Sequence, residues 1–144
     1  MVDAALRIRL DCLRAVGGLP RGHEFPPAFI ASTRDFLLHA DQTTLLAMDG
    51  DIPVGCATLC YKTCIPTLGH PTGKRAHLMN VYTAWGYRRN GVARALILSL
   101  HREAEARGVT EITLDATDEG RRLYTALGYR ASDEAMYYDV GRND

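Results

Sequence analysis

The sequence predicts a mixed α/β domain of the α+β type. Three observations point to it: two helical patterns at the N-terminal end, two apolar runs joined through Asp49-Gly50-Asp51, and a strand–turn–helix–strand succession from Ala76 to Ala116. With 144 residues, 47% of them apolar, the chain is one domain's worth and has material for a core. Lys+Arg and Asp+Glu balance at 17 each, so the total charge gives no footprint for nucleic acid or an anionic membrane. No apolar run nears the ~18 residues of a membrane helix, and no secretory leader pattern is seen. Cys12, Cys56, Cys60 and Cys64 are expected as reduced thiols, because a chain of this size needs no disulfide. The expected location is the cytoplasm.

Taken in order, residues 3–16 read as a helix. Asp3 is placed to cap it, Leu6, Leu10 and Leu13 share a face, and Gly17-Gly18 end it. A loop with Pro20 and Pro26 follows, then a second helix from Pro27, where a missing N–H costs little, to about His39. Thr44–Met48 and Ile52–Tyr61 read as a hairpin across a DG turn, and Gly55 suggests a bulge or a close backbone approach. Lys62–Arg75, with two prolines and two glycines, reads as a long loop. Ala76–Thr83 is a strand. Gly91–Arg107 is an amphipathic helix with Val92, Leu96, Ser99, Leu100 and Ala104 on one face and Gly108 as its C-terminal cap. Val109–Ala116 is a strand, Asp118–Leu127 a short helix ending at Gly128, and Ala135–Val140 a last strand. No internal repeat or linker interrupts this order.

The chemistry concentrates in Arg88-Arg89-Asn90-Gly91-Val92-Ala93, which joins a strand to a helix. A helix start exposes unpaired N–H groups and a partial positive charge, a natural seat for phosphate or pyrophosphate. Gly91 and Ala93 keep the turn bare, and Arg88, Arg89 and Arg94 add charge. The competing reading is an ordinary helix start. Two other phosphate motifs fail: Gly17–Gly22 has Walker spacing, but His23-Glu24 follows it, and no G-x-G-x-x-G occurs.

Downstream lies Leu123-Tyr124-Thr125-Ala126-Leu127-Gly128-Tyr129. With both elements in this order and separation, the chain resembles the GNAT superfamily of acyl-CoA N-acyltransferases from about residue 44 onward. That superfamily carries an Arg/Gln-x-x-Gly-x-Gly/Ala turn and a later Leu-Tyr-x-x-x-Gly-Phe/Tyr element. The resemblance implies a mostly antiparallel twisted sheet flanked by helices. It implies one acetyltransferase domain over 1–144, with 1–43 a helical acceptor-side region and 44–144 the acyl-CoA-binding core. The amides of Arg89, Asn90, Gly91, Val92, Ala93 and Arg94 would cradle the CoA pyrophosphate. The backbone at Val81 and Thr83 would pair with pantetheine, and Tyr124 would sit near the thioester sulfur. Two departures bear on pantetheine contacts: Thr117 stands where Asn is frequent, and Gly120 where Ala is frequent. The usual first strand has no counterpart, so its sheet edge is covered by another segment, covered by a partner subunit in a homodimer, or open.

The function implied is transfer of the acetyl group of acetyl-CoA, the cosubstrate, to a primary amine of a small molecule, amino acid or peptide, by direct attack in a ternary complex. The alternative is an acyl-CoA-binding regulatory module without turnover. Tyr124, with an ordinary pKa near ~10, is suited to protonate the leaving thiolate, and a strand amide near Val81 or Tyr82 to hold the oxyanion. For the base, His77 is one candidate, placed by the two-residue strand period on the face of Val81 and Thr83. Glu24 is a second, and a water chain a third. Asn80 is expected on the opposite face, bonded to a neighbouring element. Cys56, Cys60 and Cys64 are spaced to share a strand face. Convergence of Cys60, Cys64, His70 and His77 on a metal is the weaker reading, and no metal is expected. Residues 17–40 offer only Glu24 and Asp35 as carboxylates, too few for a strongly cationic acceptor.

Overall fold

In the computed structural model, described here for residues 1–141, the elements run α1 (Val2–Gly17), α2 (Pro27–His39), β1 (Gln42–Asp49), β2 (Ile52–Thr63), β3 (Lys74–Thr83), a 3-10 turn (Trp85–Tyr87), α3 (Val92–Ala106), β4 (Glu111–Thr113) and α4 (Asp118–Ala126). The four strands form one sheet in the order β1-β2-β3-β4, antiparallel except for the parallel β3–β4 pair.

The core lies on one face of the sheet. Ala57, Leu59, Ala76 and Leu78 meet Leu96, Ile97, Leu100 and Ala104 of α3, and Leu123 and Tyr124 of α4 pack against them with Leu127, the residue that caps α4. The other face is covered by α1 through buried Ala5, Leu6, Ile8 and Cys12, with α2 leaning on α1. Burial of this apolar surface is the main favourable term, roughly 25 cal/mol per Å². Gly55 lies beside an irregularity, as expected, and its close neighbour is a side chain of α3 rather than another backbone. The β1–β2 register slips beside it, between Ala47 and Met48, and a Cβ there would lie 2.7 Å from Val92 Cγ1, so its absence lets α3 approach β2.

Several expectations need correction. Asp3 does not cap α1; the cap is Met1, and Asp3 pairs with Arg34 of α2 at 2.6 Å. The 62–75 loop is shorter than the glycines and prolines suggest. Lys62 pairs with Arg75 and Thr63 with Lys74, so the loop proper is 64–73, and it closes through Cys64 N–H to Gly73 O at 2.8 Å. Cys64 therefore lies beyond β2 and does not share a strand face with Cys56 and Cys60. The strand expected over Val109–Ala116 is reduced to Glu111–Thr113, because β4 parts from β3. Ala135–Val140 forms no strand. It has no pairing partner in the sheet, and Met136, Tyr137, Tyr138 and Val140 are 80–93% exposed.

Candidate active site

Two local features of β3 build the site. The first is its free edge. β4 pairs with β3 only at Arg75–Glu111, Ala76–Ile112 and His77–Thr113, whereas β3 continues to Thr83. From Leu78 on, the side of β3 that would face β4 has no strand against it. The second is a bulge. Cys56 pairs with Tyr82 and Thr58 with Met79, so Asn80 and Val81 together oppose Ala57 alone. Asn80 takes a left-handed φ of 59°, a conformation that Asn tolerates better than most residues.

The buried Cys56 thiol stabilises the bulge by donating to Asn80 O at 3.1 Å. Burial pushes this thiol up to about 12, opposed by Arg9 and by the Tyr82 amide facing the sulfur. Asn80 O points towards β2, and so does Ala84 N–H, which donates to Val54 O at 2.8 Å. By alternation along the strand, the backbone groups of Val81 and Thr83 face the free edge. Thr83 O there accepts from Arg88 Nε at 3.0 Å. Of the two amides considered for an oxyanion, that of Val81 faces the opening and that of Tyr82 faces the Cys56 sulfur.

The bulge also reverses the side-chain faces. Val81 packs into the α3 core, and Thr83 pairs with Gly55 on that same side. His77 pairs with Cys60 on the α1 side, so His77 does not share a face with Val81 and Thr83, contrary to the two-residue period. Asn80 lies on the α1 side with His77 rather than opposite it. Its expected bond to a neighbouring element is present, since Arg9 Nη1 of α1 donates to Asn80 Oδ1 at 3.3 Å and Asn80 Nδ2 donates to Thr58 Oγ1 at 3.1 Å. His77 itself sits at the fork of β3 and β4. Its Nδ1 is 2.7 Å from Thr113 Oγ1, and its Nε2 is 3.7 Å from Asp115 Oδ2.

Beyond the free edge, the chain passes through Trp85–Tyr87 to the start of α3. Arg89 and Gly91 both have left-handed φ, 67° and 76°. No side chain caps α3, and the amides of Val92, Ala93 and Arg94 have no acceptor within the helix. Nothing lies within 4 Å of where a Gly91 Cβ would be, so the approach is open. Arg88 stacks on Trp85 at 4.9 Å and reaches Glu119 at 3.7 Å, bridging towards α4. Arg89 and Arg94 are exposed and form no ion pair among the described residues. Asn90 Nδ2 bonds to Tyr87 O at 3.4 Å.

Tyr124 lies on α4, part-buried against the core cluster. Its ring packs edge-on to Tyr129 at 5.9 Å, and burial raises its pKa. Its hydroxyl has no hydrogen bond among the described residues and is not a buried orphan, so it is free to meet a ligand. Gly120 makes room for this ring, because a Cβ there would fall 2.9 Å from Tyr124 Cε2. Thr117 caps α4 by accepting from Gly120 N–H at 3.1 Å, and its own O–H remains available to donate. Glu24 is exposed on the loop before α2. No group of three or more His, Cys, Asp or Glu among the described residues is placed to hold a metal ion, which removes the Cys60–Cys64–His70–His77 cluster. A cleft of about 510 Å³ lies at the far end of β3, by Asp41, Lys74 and Arg107. There Lys74 Nζ donates to Arg107 O at 3.3 Å, a cation serving the C-terminal end of α3.

Sequence alone does not single out Arg9, Thr113 or Asp115, nor the part that Cys56 plays, and these residues position the bulge and His77. The signal the sequence does carry is Asn80 itself, a polar residue between Leu78-Met79 and Val81-Tyr82.

A bare helix start and a free strand edge thus adjoin one another, and Arg88 links them to α4, which carries Tyr124. The Acetyltransferase (GNAT) family profile matches residues 4–129, and the chain belongs to that family. The matched span takes in all of α2 and all of α1 except its first two residues. The chain is 29% identical over 87 residues to the glucosamine 6-phosphate N-acetyltransferase of Trypanosoma brucei brucei, covering 60% of this chain and 57% of that protein. It is 28% identical over 102 residues to a Bacillus subtilis (strain 168) relative, covering 71% of this chain and 63% of that protein. The chain thus spans less than two thirds of either. Its fold matches a predicted acetyltransferase of Clostridium acetobutylicum crystallised with acetyl-CoA, with a TM-score of 0.82 at 22% identity over 96% of this chain and 90% of the other. The fold of the aminoglycoside N-acetyltransferase AAC(6')-Iy in complex with CoA is matched with a TM-score of 0.74 at 19% identity, over 98% and 89%.

Proposed function

We infer that this protein moves the acetyl group of acetyl-CoA to a primary amine by direct attack in a ternary complex. The observation that carries the reading is the parting of β3 from β4 beside the uncapped start of α3. One feature offers a strand edge to an amide-bearing pantetheine arm, and the other offers bare amides to a pyrophosphate. Structures of the same fold that hold acetyl-CoA or CoA support this donor.

The amides of residues 89–94 hold the pyrophosphate, with charge from Arg88, Arg89 and Arg94. Val81 and Thr83 pair with pantetheine through their backbone, and Thr117 O–H donates to the same arm. The amine nitrogen attacks the thioester carbon, and the developing oxyanion accepts from the Val81 amide. As the C–S bond breaks, Tyr124 gives its proton to the thiolate. The proton lost by the amine passes to His77 or to water, giving amide and free CoA. Because burial raises the Tyr124 pKa, the acid stays protonated throughout the neutral range.

Residues 1–43 form the acceptor side, and the acceptor is an amine of a small molecule, amino acid or peptide. The free thiols and the CoA donor suit the cytoplasm; no helix among the described residues is long and apolar enough to cross a membrane. The exposed apolar segment 136–140 supports a homodimer.

The test is Tyr124→Phe, assayed by thiol release and by acetyl-CoA binding. kcat should fall by about 10²-fold while the acetyl-CoA Kd stays within about twofold, because the hydroxyl acts on the transition state. Equal loss of both would remove the acid role. Donor binding without thiol release, in the unmodified chain and with every amine, would restore the regulatory-module alternative.

A further inference from the structure

A cleft of about 270 Å³ lies on the α1 side of the sheet, between α2 and the bulge of β3. It is on the opposite face from α3, so an amine arriving there meets the strand from the side away from the donor's helix. Three features define its chemistry. Its walls are mostly apolar: Phe29, Phe36 and Leu37 of α2 face Met79 of β3. Phe29, Phe36 and Met79 are 38–43% exposed, more than such side chains need be in a finished core. Its only charged lining residue is Arg9. The Arg9 guanidinium donates to the neutral Asn80 amide oxygen at 3.3 Å and forms no ion pair among the described residues.

Each feature selects among amines. A cleft of this size is at the small end of ligand sites and takes one aromatic or branched group, not several sugar rings. A half-buried cation without a carboxylate favours an anionic group on the ligand, because a charge-assisted, bidentate pair replaces its lost hydration. The same cation repels a second ammonium, and no carboxylate lines the cleft to offset that. We propose that the acceptor is a small amine bearing one apolar group and one anionic group, seated with the apolar group against Phe29, Phe36 and Met79 and the anion on Arg9. The simplest member of this class is an α-amino acid with an aromatic or branched side chain. This inference rests on the acetyltransferase reading above and narrows its acceptor.

The experiment measures thiol release by the full chain with acetyl-CoA and six amines: phenylalanine, leucine, phenylalanine amide, glucosamine 6-phosphate, spermidine and kanamycin. Phenylalanine or leucine should give the highest kcat/KM. Phenylalanine should exceed its amide by roughly tenfold or more, the worth of one charge-assisted hydrogen bond, and the two polycations should be poorest. In Arg9→Met that ratio should collapse towards one. A retained melting shift with acetyl-CoA shows that the variant is folded, and Arg9→Lys should recover part of the ratio. Preference for spermidine, kanamycin or glucosamine 6-phosphate would overturn the proposal and leave the transferase standing. So would an unchanged ratio in Arg9→Met. Donor binding with no release from any of the six would also overturn it. Absence of both donor binding and release would overturn the underlying reading instead.

Discussion

At the scale of single residues, Cys56 shows how a buried group with no catalytic task shapes a site. Its thiol fills the gap between the bulge and β2, and loss of that donor would leave Asn80 O unpartnered. Cys56→Ala should therefore destabilise the chain by about 1–3 kcal/mol, read from urea unfolding at neutral pH. The pH dependence has a definite sign. The folded thiol is held at about 12 against an ordinary value of 9.0. Below pH 9.0 both states keep the proton and the fold bears no penalty. Above it the unfolded chain ionises first, so stability falls as pH rises towards 12. Tyr129, also pushed up to about 12 by burial, adds to the fall once pH passes 10.0. The unfolding midpoint should thus decline steadily above pH 9, and less steeply in Cys56→Ala. A midpoint that rises or stays level across that range would contradict the burial of both groups.

At the scale of elements, much of the framework was legible because local chemistry and tertiary structure agree. Gly18 ends α1 in a left-handed cap, Pro27 opens α2, and Asp49-Gly50-Asp51 makes the hairpin, with Gly50 at φ 59°. The side-chain faces of β3 were not legible, since they hinge on one extra residue at Asn80 whose conformation is held by Cys56 and Arg9 from other elements. A two-residue period carries no sign of such an insertion and so puts His77 on the face of Val81. The Arg88–Ala93 turn was legible in type but not in detail, as nothing in the sequence says that Arg89 takes a positive φ. Gly91 is where that turn can be tested. A side chain at φ 76° costs about 1–2 kcal/mol, yet no neighbouring atom would clash with its Cβ. Gly91→Val should therefore leave a folded protein whose acetyl-CoA Kd rises by roughly tenfold or more, measured by calorimetry. Unchanged affinity would show that the turn does not hold the pyrophosphate.

At the scale of the whole molecule, the sheet has two margins with no strand paired to them among the described residues, the outer edge of β1 and the divergent end of β4. The segment from Ala135 to Val140 has the composition of a strand but pairs with neither margin, so strand propensity alone does not make it one. Its exposed side chains are the best candidates to lie between two copies. Light scattering on the full chain should return the mass of a dimer, and the monomer mass at high concentration would contradict that assembly. The divergence of β4 from β3 is equally a property of the whole. Glu111–Thr113 is held against β3, whereas Leu114 leaves to pack on the core, and the opening between them is the proposed donor site.

That opening is tested most directly by the melting temperature of the full chain with acetyl-CoA, CoA and ATP in turn. A ligand at ~100 times its dissociation constant adds about 2.7 kcal/mol, a shift of several degrees for a domain of this size. The account predicts that shift with acetyl-CoA and with CoA, and a smaller one with ATP, which lacks the pantetheine arm that the free edge of β3 would pair with. No shift with any of the three, in a sample that melts cooperatively, would contradict it.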